Sequence, residues 1–503
     1  MRSRGSPCDN SIDDRSTDGP PVHFALTHFN ELRLAATLHT SAVFLLNTQS
    51  ALVGECVEAG MLVRSMIGSA LVTLVALSSG FATGCSAAPK DGSPEEVGAT
   101  SDALSDSQKD AYINNFIASI GAPGVQTVIV KNGAVVRSKA YGNAVTNPQR
   151  AMTNDTVMTT IASASKLVTM LVAMQQVEKG TISLDDDVNK SLTADNLKIR
   201  NPAFPKVPIT WRMLLTHTSS INDDEDILVD NYWFGTDPTV SFKDFMVGMF
   251  TPGGTYNRAD TYTTDKPGTV RLYSNYAFSL MAYALQSGVL HEDFNTYTKR
   301  EIFGKLGMTT TAWFLSDITK QQPDMKKYIV PYGCDPNDSG GFDCDTGRLF
   351  FGYGGGPPPP KGSILGEQFS FPDYADGGIR TTANQYTKVL TMFMNGGTYN
   401  GVRFLKQSTI NQMATPTGFH NPYGWDQGLG LLGPSANSTE PNGGDAPPLI
   451  WGHDGNDIGV ATAVFWRPDT GVGAIAFANI MNTDFTRNDD MVNLVKTMIS
   501  WYN

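Results

Sequence analysis

The chain reads as an α/β protein: an antiparallel sheet formed from both termini, flanked by helices, with an inserted mainly helical region. Three observations predict this. Residues 124–142, "GVQTVIVKNGAVVRSKAYG", are two β-branched runs joined at Asn132-Gly133, a strong signal for a two-residue hairpin. Near the other end, "GVATAVFW" and "VGAIAFAN" are further strands, followed by "DDMVNLVKTMISWY", whose apolar residues recur at helical spacing. Between them, residues from about 185 to 310 are mostly helical and loop-like, with "WRMLLTHTSSI" and "YAFSLMAYALQSGVL" as amphipathic or buried segments.

Taken in order, residues 1–60 are Ser- and Asp-rich, then irregularly apolar without periodicity, and are expected to be a non-native or over-extended start. From Met61, "MLVRSMIGSALVTLVALSSGFATGC" sets a short cationic segment with Arg64 before an apolar run and small residues leading to Cys85. That is the layout of a secretory signal, with a core too short to span a membrane. "ATGC" (Ala82–Cys85) resembles a bacterial lipoprotein box, with Ala82 where leucine is usual, so lipidation of Cys85 is expected. Plain secretion and an uncleaved anchor are the alternatives. Residues 86–105 are a polar linker, and residues 106–503 the folded domain. Within it, the helix that opens at Lys166 should close near Gly180, since glycine commonly ends helices. Residues 324–372, rich in Gly and Pro and including "GGGPPPPKG", are expected to be an insertion over the surface. Helical pattern returns at "TTANQYTKVLTMFMNGG", and there is no internal repeat.

Composition excludes several classes. An apolar fraction of 41% with 17% charged residues over 503 residues is that of a globular protein, not a disordered one. The formal net charge of −12, without a Lys/Arg cluster, argues against nucleic acid as a partner. Cys8 and Cys56 lie in the leader, and Cys85 is the lipid candidate. Cys334 and Cys344, across "CDPNDSGGFDC", are expected to form a disulfide in an exported protein. Two cysteines without a neighbouring histidine do not make a metal site.

The chemical signal begins at "TTIASASKLVTMLVAM" (Thr159–Met174), where a lysine opens an almost wholly apolar helix. Such a helix belongs in a core, and burying an ammonium is costly unless it is paired or neutralised. Ser163, three residues before Lys166, falls on the same helical face, with its hydroxyl within reach of the amine. Desolvation is expected to lower the lysine pKa and make it a base for the serine. As a structural alternative, Ser163 would be a helix cap, but a cap does not explain Lys166.

With three further stretches the chain resembles the penicillin-recognising serine hydrolases, the superfamily of serine β-lactamases and D-alanyl-D-alanine peptidases, nearest in pattern to class C β-lactamases and related esterases. "SASK" (Ser163–Lys166) matches the S-x-x-K motif, "YSN" (Tyr273–Asn275) the Y-x-N motif, and "HDG" (His453–Gly455), read as lying just before a strand, the H-x-G form of K-T-G. "LLTHTSSI", "GTISLDDDV" and "DGGIRTTA" resemble supporting segments, with Ser220 where glycine is usual. The resemblance implies a β-lactamase/transpeptidase-like fold and acyl transfer: Ser163 attacks a carbonyl while Lys166 and Tyr273 move the proton. It also implies an oxyanion hole of the Ser163 and Asn456 backbone N–H groups, with Asn275, His453 and Gly455 on the substrate wall. No metal or cofactor is required. His453, mostly neutral, cannot supply the fixed charge of a K-T-G lysine, which favours an ester, amide or D-amino-acid peptide over a β-lactam. A true β-lactamase and a non-catalytic penicillin sensor of the same fold are the alternatives. The expected partner is a small-molecule or peptidoglycan-type substrate, with membrane contact only through the lipid on Cys85. His217 is expected to be structural, and Asp185–Asp187 a solvated turn.

Overall fold

The computed structural model describes residues 104–332, 368–435, 449–480 and 488–503, together with the short paired backbone stretches 342–343 and 348–349. The leader, the signal segment with Cys85, residues 86–103 of the linker, and both Cys334 and Cys344 lie outside the described residues. The chain opens with α1 (Asp106–Ser119), started by a capping box between Ser105 and Gln108. Next come β1 (Gly124–Lys131), β2 (Ala134–Thr146) and β3 (Gln149–Ala151). Asn132 and Gly133, at φ 50° and 79°, make the expected hairpin turn.

Helix α2 (Lys166–Lys179) ends where Gly180 turns left-handed at φ 74°. It packs against α3 (Asn275–Leu285). After α4 (Ala383–Met394) the chain forms β4 (Asp426–Gln427), β5 (Leu432–Gly433), β6 (Trp451–Asp457), β7 (Val460–Arg467) and β8 (Val472–Ala478), then α5 (Asn488–Ser500). The main sheet has the order β4-β5-β6-β7-β8-β1-β2-β3 and is antiparallel throughout. β1 pairs with β8 from Val125 opposite Ala478 to Lys131 opposite Val472, so the two ends of the domain meet as expected.

Both faces of the sheet are covered, which is why its central strands read as near-continuous apolar runs. On one face Ile113 and Ile117 of α1 and Val492 and Val495 of α5 meet Val125, Ile129, Phe465 and Ala474. On the other, Leu390 and Phe393 of α4 share a core with Val128, Val464, Ile475 and Phe477. That second core extends to α2, whose residues from Lys166 to Met174 are all buried. Each fully buried Leu, Val or Met there contributes about 1.5–3 kcal/mol.

Two expectations need correction. Residues 324–372 are not a surface insertion throughout: at the described ends Tyr328, Ile329 and Val330 are buried, and Phe369–Ser370 pairs with Trp233–Phe234. Apart from the paired stretches 342–343 and 348–349, the Gly/Pro-rich middle of the stretch, whose composition hid these short apolar segments, lies outside the described residues. His453 to Gly455 also lie inside strand β6, not before a strand. Glycine and aspartate depress strand propensity, yet β7 supplies the ladder partners that hold this segment extended.

Candidate active site

Ser163 sits on a tight helical turn, Ala162–Ser165, that runs directly into α2. Ala162 is left-handed at φ 48°. For a residue with a Cβ that conformation costs about 1–2 kcal/mol, so surrounding structure must impose it. It does. Ile161 N–H donates to the Ile379 carbonyl (2.8 Å), and Thr462 Oγ1 on β7 donates to the Ile161 carbonyl (2.8 Å). Ser165 Oγ donates to the Gly377 carbonyl (2.9 Å) and accepts from Ile379 N–H (3.1 Å), tying the "DGGIRTTA" segment to the turn. Strand β6 comes equally close: a Cβ on Gly455 would lie 2.8 Å from Ser163 N and 2.9 Å from Ile161 O, so only glycine fits. This brings Gly455 to the Ser163 amide and sets Asn456 beside Ser163 on one cavity.

Lys166 is fully buried and its ammonium has three acceptors: Ser163 Oγ (2.9 Å), Asn275 Oδ1 (2.7 Å) and the Asp376 carbonyl (2.9 Å). Asp376 Oδ2 lies 3.8 Å away. Tyr273 OH donates to Ser163 Oγ at 2.8 Å, with its ring centroid 5.0 Å from the ammonium. The expectation of a lowered lysine pKa fails. Burial does act to lower it, but Tyr273 and the Asp376 and Asp223 carboxylates outweigh burial and hold it above the ordinary lysine value. Burial raises the Tyr273 phenol, against the opposing pull of Lys166. The resting pair is therefore an ammonium beside a neutral phenol.

Asp223, not singled out in the sequence, and His217, already noted there, position the Y-x-N segment. Asp223 accepts from Ser274 Oγ (2.7 Å), Asn275 N–H (2.6 Å) and Tyr276 N–H (3.1 Å) at the start of α3. A carboxylate is favoured at a helix N-terminus, where backbone N–H groups lack partners. His217 accepts from Ser274 N–H (3.1 Å) and stacks on the Tyr273 ring at 4.3 Å. Burial pushes the His217 imidazole well below its usual value, so it is neutral, a structural histidine as expected. Arg271 donates to Gln427 Oε1 (2.9 Å) and lies 6.0 Å from the Tyr273 centroid. His453 is held to about 3 by burial, helped by Lys166 and Arg271, and is likewise neutral. Its Nδ1 donates to the Asp454 carbonyl at 2.5 Å, which leaves Nε2 as an acceptor.

The fold thus brings together Ser163, Lys166, Tyr273, Asn275, His453, Gly455 and Asn456. Missed were Asp223, Asp373 and Asp457, whose proximity to Lys166 arises only from tertiary contacts, and the part played by Asp376, which opens the "DGGIRTTA" segment; the hints in the sequence were that segment and the "NDD" of Asn222–Asp224 directly after "THTSSI". The Asp185–Asp187 turn is not simply solvated: Asp185 pairs with Arg212 at 2.7 Å, and Asp187 with Arg200.

The family model described as "Beta-lactamase" matches residues 110–496. Among curated proteins, the chain is 25% identical over 209 residues to Protein flp of Staphylococcus aureus (strain MRSA252), covering 42% of this chain and 38% of that protein. It is 26% identical over 220 residues to the D-alanyl-D-alanine-carboxypeptidase/endopeptidase AmpH of Escherichia coli (strain K12), covering 41% of this chain and 49% of that one. The chain spans less than half the length of these curated relatives. Among solved structures, D-amino acid amidase from Ochrobactrum anthropi superposes with a TM-score of 0.57 at 19% identity, over 79% of this chain and 98% of that one, and shares the fold.

Proposed function

We propose, for a chain that belongs to the β-lactamase family, that it is a serine hydrolase working through an acyl-enzyme on an ester, amide or D-amino-acid peptide bond. The observation that carries this reading is the convergence of Lys166 Nζ and Tyr273 OH on Ser163 Oγ, at 2.9 and 2.8 Å. Ser163 Oγ attacks the substrate carbonyl, forming the C–O bond as its proton passes to the Tyr273–Lys166 pair. The oxyanion is held by the Ser163 and Asn456 backbone N–H groups, a contribution of about 3 kcal/mol per donor in comparable sites. The pair returns the proton to the leaving alcohol or amine as the scissile bond breaks. Water then adds to the ester carbonyl, the same pair takes its proton, and Ser163 leaves with a proton restored.

Because both groups rest protonated, the base forms when one proton leaves the pair; the Lys166 ammonium then stabilises the Tyr273 phenolate. The neutral His453 supplies no fixed cation for a substrate carboxylate, which favours ester, amide or D-amino-acid peptide substrates over β-lactams. The sequence supports export with a lipid on Cys85, a domain from residue 106 onward and a Cys334–Cys344 disulfide as parts of the same reading. Among the described residues, no helix is long and apolar enough to cross a membrane.

A fluorophosphonate probe and a chromogenic ester test the reading directly. The probe should label Ser163, and Ser163→Ala should abolish both labelling and ester turnover. Labelling at another residue, or turnover surviving in Ser163→Ala, would overturn it.

A further inference from the structure

Beside Ser163 and Asn275 lies a cavity of about 70 Å³ with two kinds of wall. Leu228, Tyr232 and Phe371 make one kind, and Asp373, Asp376 and Asp457 the other. Asp457 is partly exposed and already accepts from Tyr232 OH (2.6 Å). Asp373 and Asp376 are buried, at 2% and 6% exposure, and Asp373 Oδ2 and Asp376 Oδ1 have no hydrogen-bond partner among the described residues.

The nearby cations do not satisfy them. Lys166 gives its N–H groups to Ser163, Asn275 and a backbone carbonyl, and reaches Asp376 only at 3.8 Å. Arg380 gives its two Nη groups to the Trp313, Gly378 and Phe369 carbonyls and to Ser370 Oγ, and its buried Nε bonds neither carboxylate, having no hydrogen-bond partner among the described residues. Arg271 bonds Gln427. Buried carboxylates without donors are costly, and such a cost persists where a ligand relieves it. Burial first, then the neighbouring carboxylates, drive Asp373 up to about 7 and Asp376 well above its usual range. The missing partner is a cation small enough for the cavity, yet among the described residues no group of His, Cys, Asp and Glu is disposed to hold a metal ion. A primary ammonium fits better: it offers three N–H donors to the acidic wall, while the attached carbon rests on Leu228 and Phe371.

We propose that this cavity binds the primary ammonium of the substrate's acyl group, so that the enzyme acts on aminoacyl esters or amides in preference to their N-acylated or amine-free counterparts. The proposal rests on the acyl-enzyme reading of Ser163. N-acylation removes the charge and adds bulk to a small cavity, and an amine-free acyl group leaves the carboxylates without a donor.

Two arms test it at pH 7. In the first, hydrolysis of alanine methyl ester, in each enantiomer, is compared with that of methyl propionate, each corrected for its hydroxide-catalysed rate because the α-ammonium itself activates the ester. After that correction we expect at least about a tenfold higher kcat/KM for one alanine ester, falling towards equality in Asp373→Asn and Asp376→Asn. In the second, thermal melts of Ser163→Ala are run with alaninamide and with propionamide. Alaninamide should raise Tm and propionamide should not. This arm needs neither turnover nor a folded carboxylate variant. Equal kcat/KM for the ester pair with Ser163 still labelled, or equal Tm shifts, would overturn the ammonium site and leave the hydrolase intact. A Tm shift specific to alaninamide without turnover of any ester would support the site and overturn the hydrolase reading.

Discussion

Lys166 is fixed by three acceptors drawn from separate parts of the chain, and one of them is the serine it is proposed to activate. A lysine serving only as a structural cation would show itself by what its removal does. Lys166→Ala would then lower Tm and leave turnover per folded molecule unchanged. We expect the reverse weighting: Lys166→Ala and Tyr273→Phe each lower kcat by at least about 100-fold, and the double variant is little worse than either single one. Measuring kcat and Tm on all three variants decides the matter. The pH profile is a second readout. With Lys166 and Tyr273 both raised above ordinary values of about 10, the range from about pH 7 to 9 lies wholly below their titration, so the small deprotonated fraction, and kcat/KM with it, should keep climbing throughout that range. A plateau reached already near neutral pH would show that the pair rests deprotonated.

Among the elements, β6 and the turn before α2 are mutually dependent. The turn is held by Thr462 Oγ1 on the neighbouring strand β7, and β6 approaches so closely that a Cβ at residue 455 would also lie 2.6 Å from Thr462 Oγ1. Two of the three clashing atoms belong to the backbone, so the strand or the turn must move. Gly455→Ala should therefore disturb the Ser163 amide directly. The expected outcome is a loss of about 100-fold or more in kcat, the scale of a lost oxyanion donor, with KM changed far less. Steady-state kinetics alongside a thermal melt check this, and unaltered kcat in a stable Gly455→Ala protein would contradict the placement. Helix α3 is organised by the same economy of parts: its first turn carries Asn275, and Asp223 holds that turn from another loop.

For the whole molecule, the acidic wall near Ser163 should be visible in stability against pH. Asp373 and Asp457 are pushed up to about 7 and about 6, burial being the first cause in each. A carboxyl with a folded pKa above its unfolded value of about 4 binds its proton more tightly in the folded state. Its stabilisation is therefore complete below about pH 4 and is lost as pH rises to about 7. His453, held to about 3, acts in the opposite sense: its contribution is present above about pH 6.5 and is lost on acidification. Comparing Asp373→Asn with the parent separates the two, since His453 is common to both. The variant should gain Tm at pH 8 and show little or no gain at pH 4; an equal difference at both values would mean that Asp373 is not strained. What the sequence by itself determined was local and periodic. The Asn132-Gly133 hairpin, the apolar strands near both ends, the Gly180 stop and the Ser163–Lys166 pair are readable because the relevant partners lie within a few residues, whereas the Y-x-N and H-x-G segments are readable only through their resemblance to family motifs in the same order. The tertiary structure decided what depends on distant charges. Lys166 looked like a desolvated base because neither Asp376, 210 residues away along the chain, nor the Tyr273 phenol could be weighed against its burial. The same holds for the carboxylates beside Ser163: burial and Coulomb interaction depend on distance in space, and only the packed chain sets that distance.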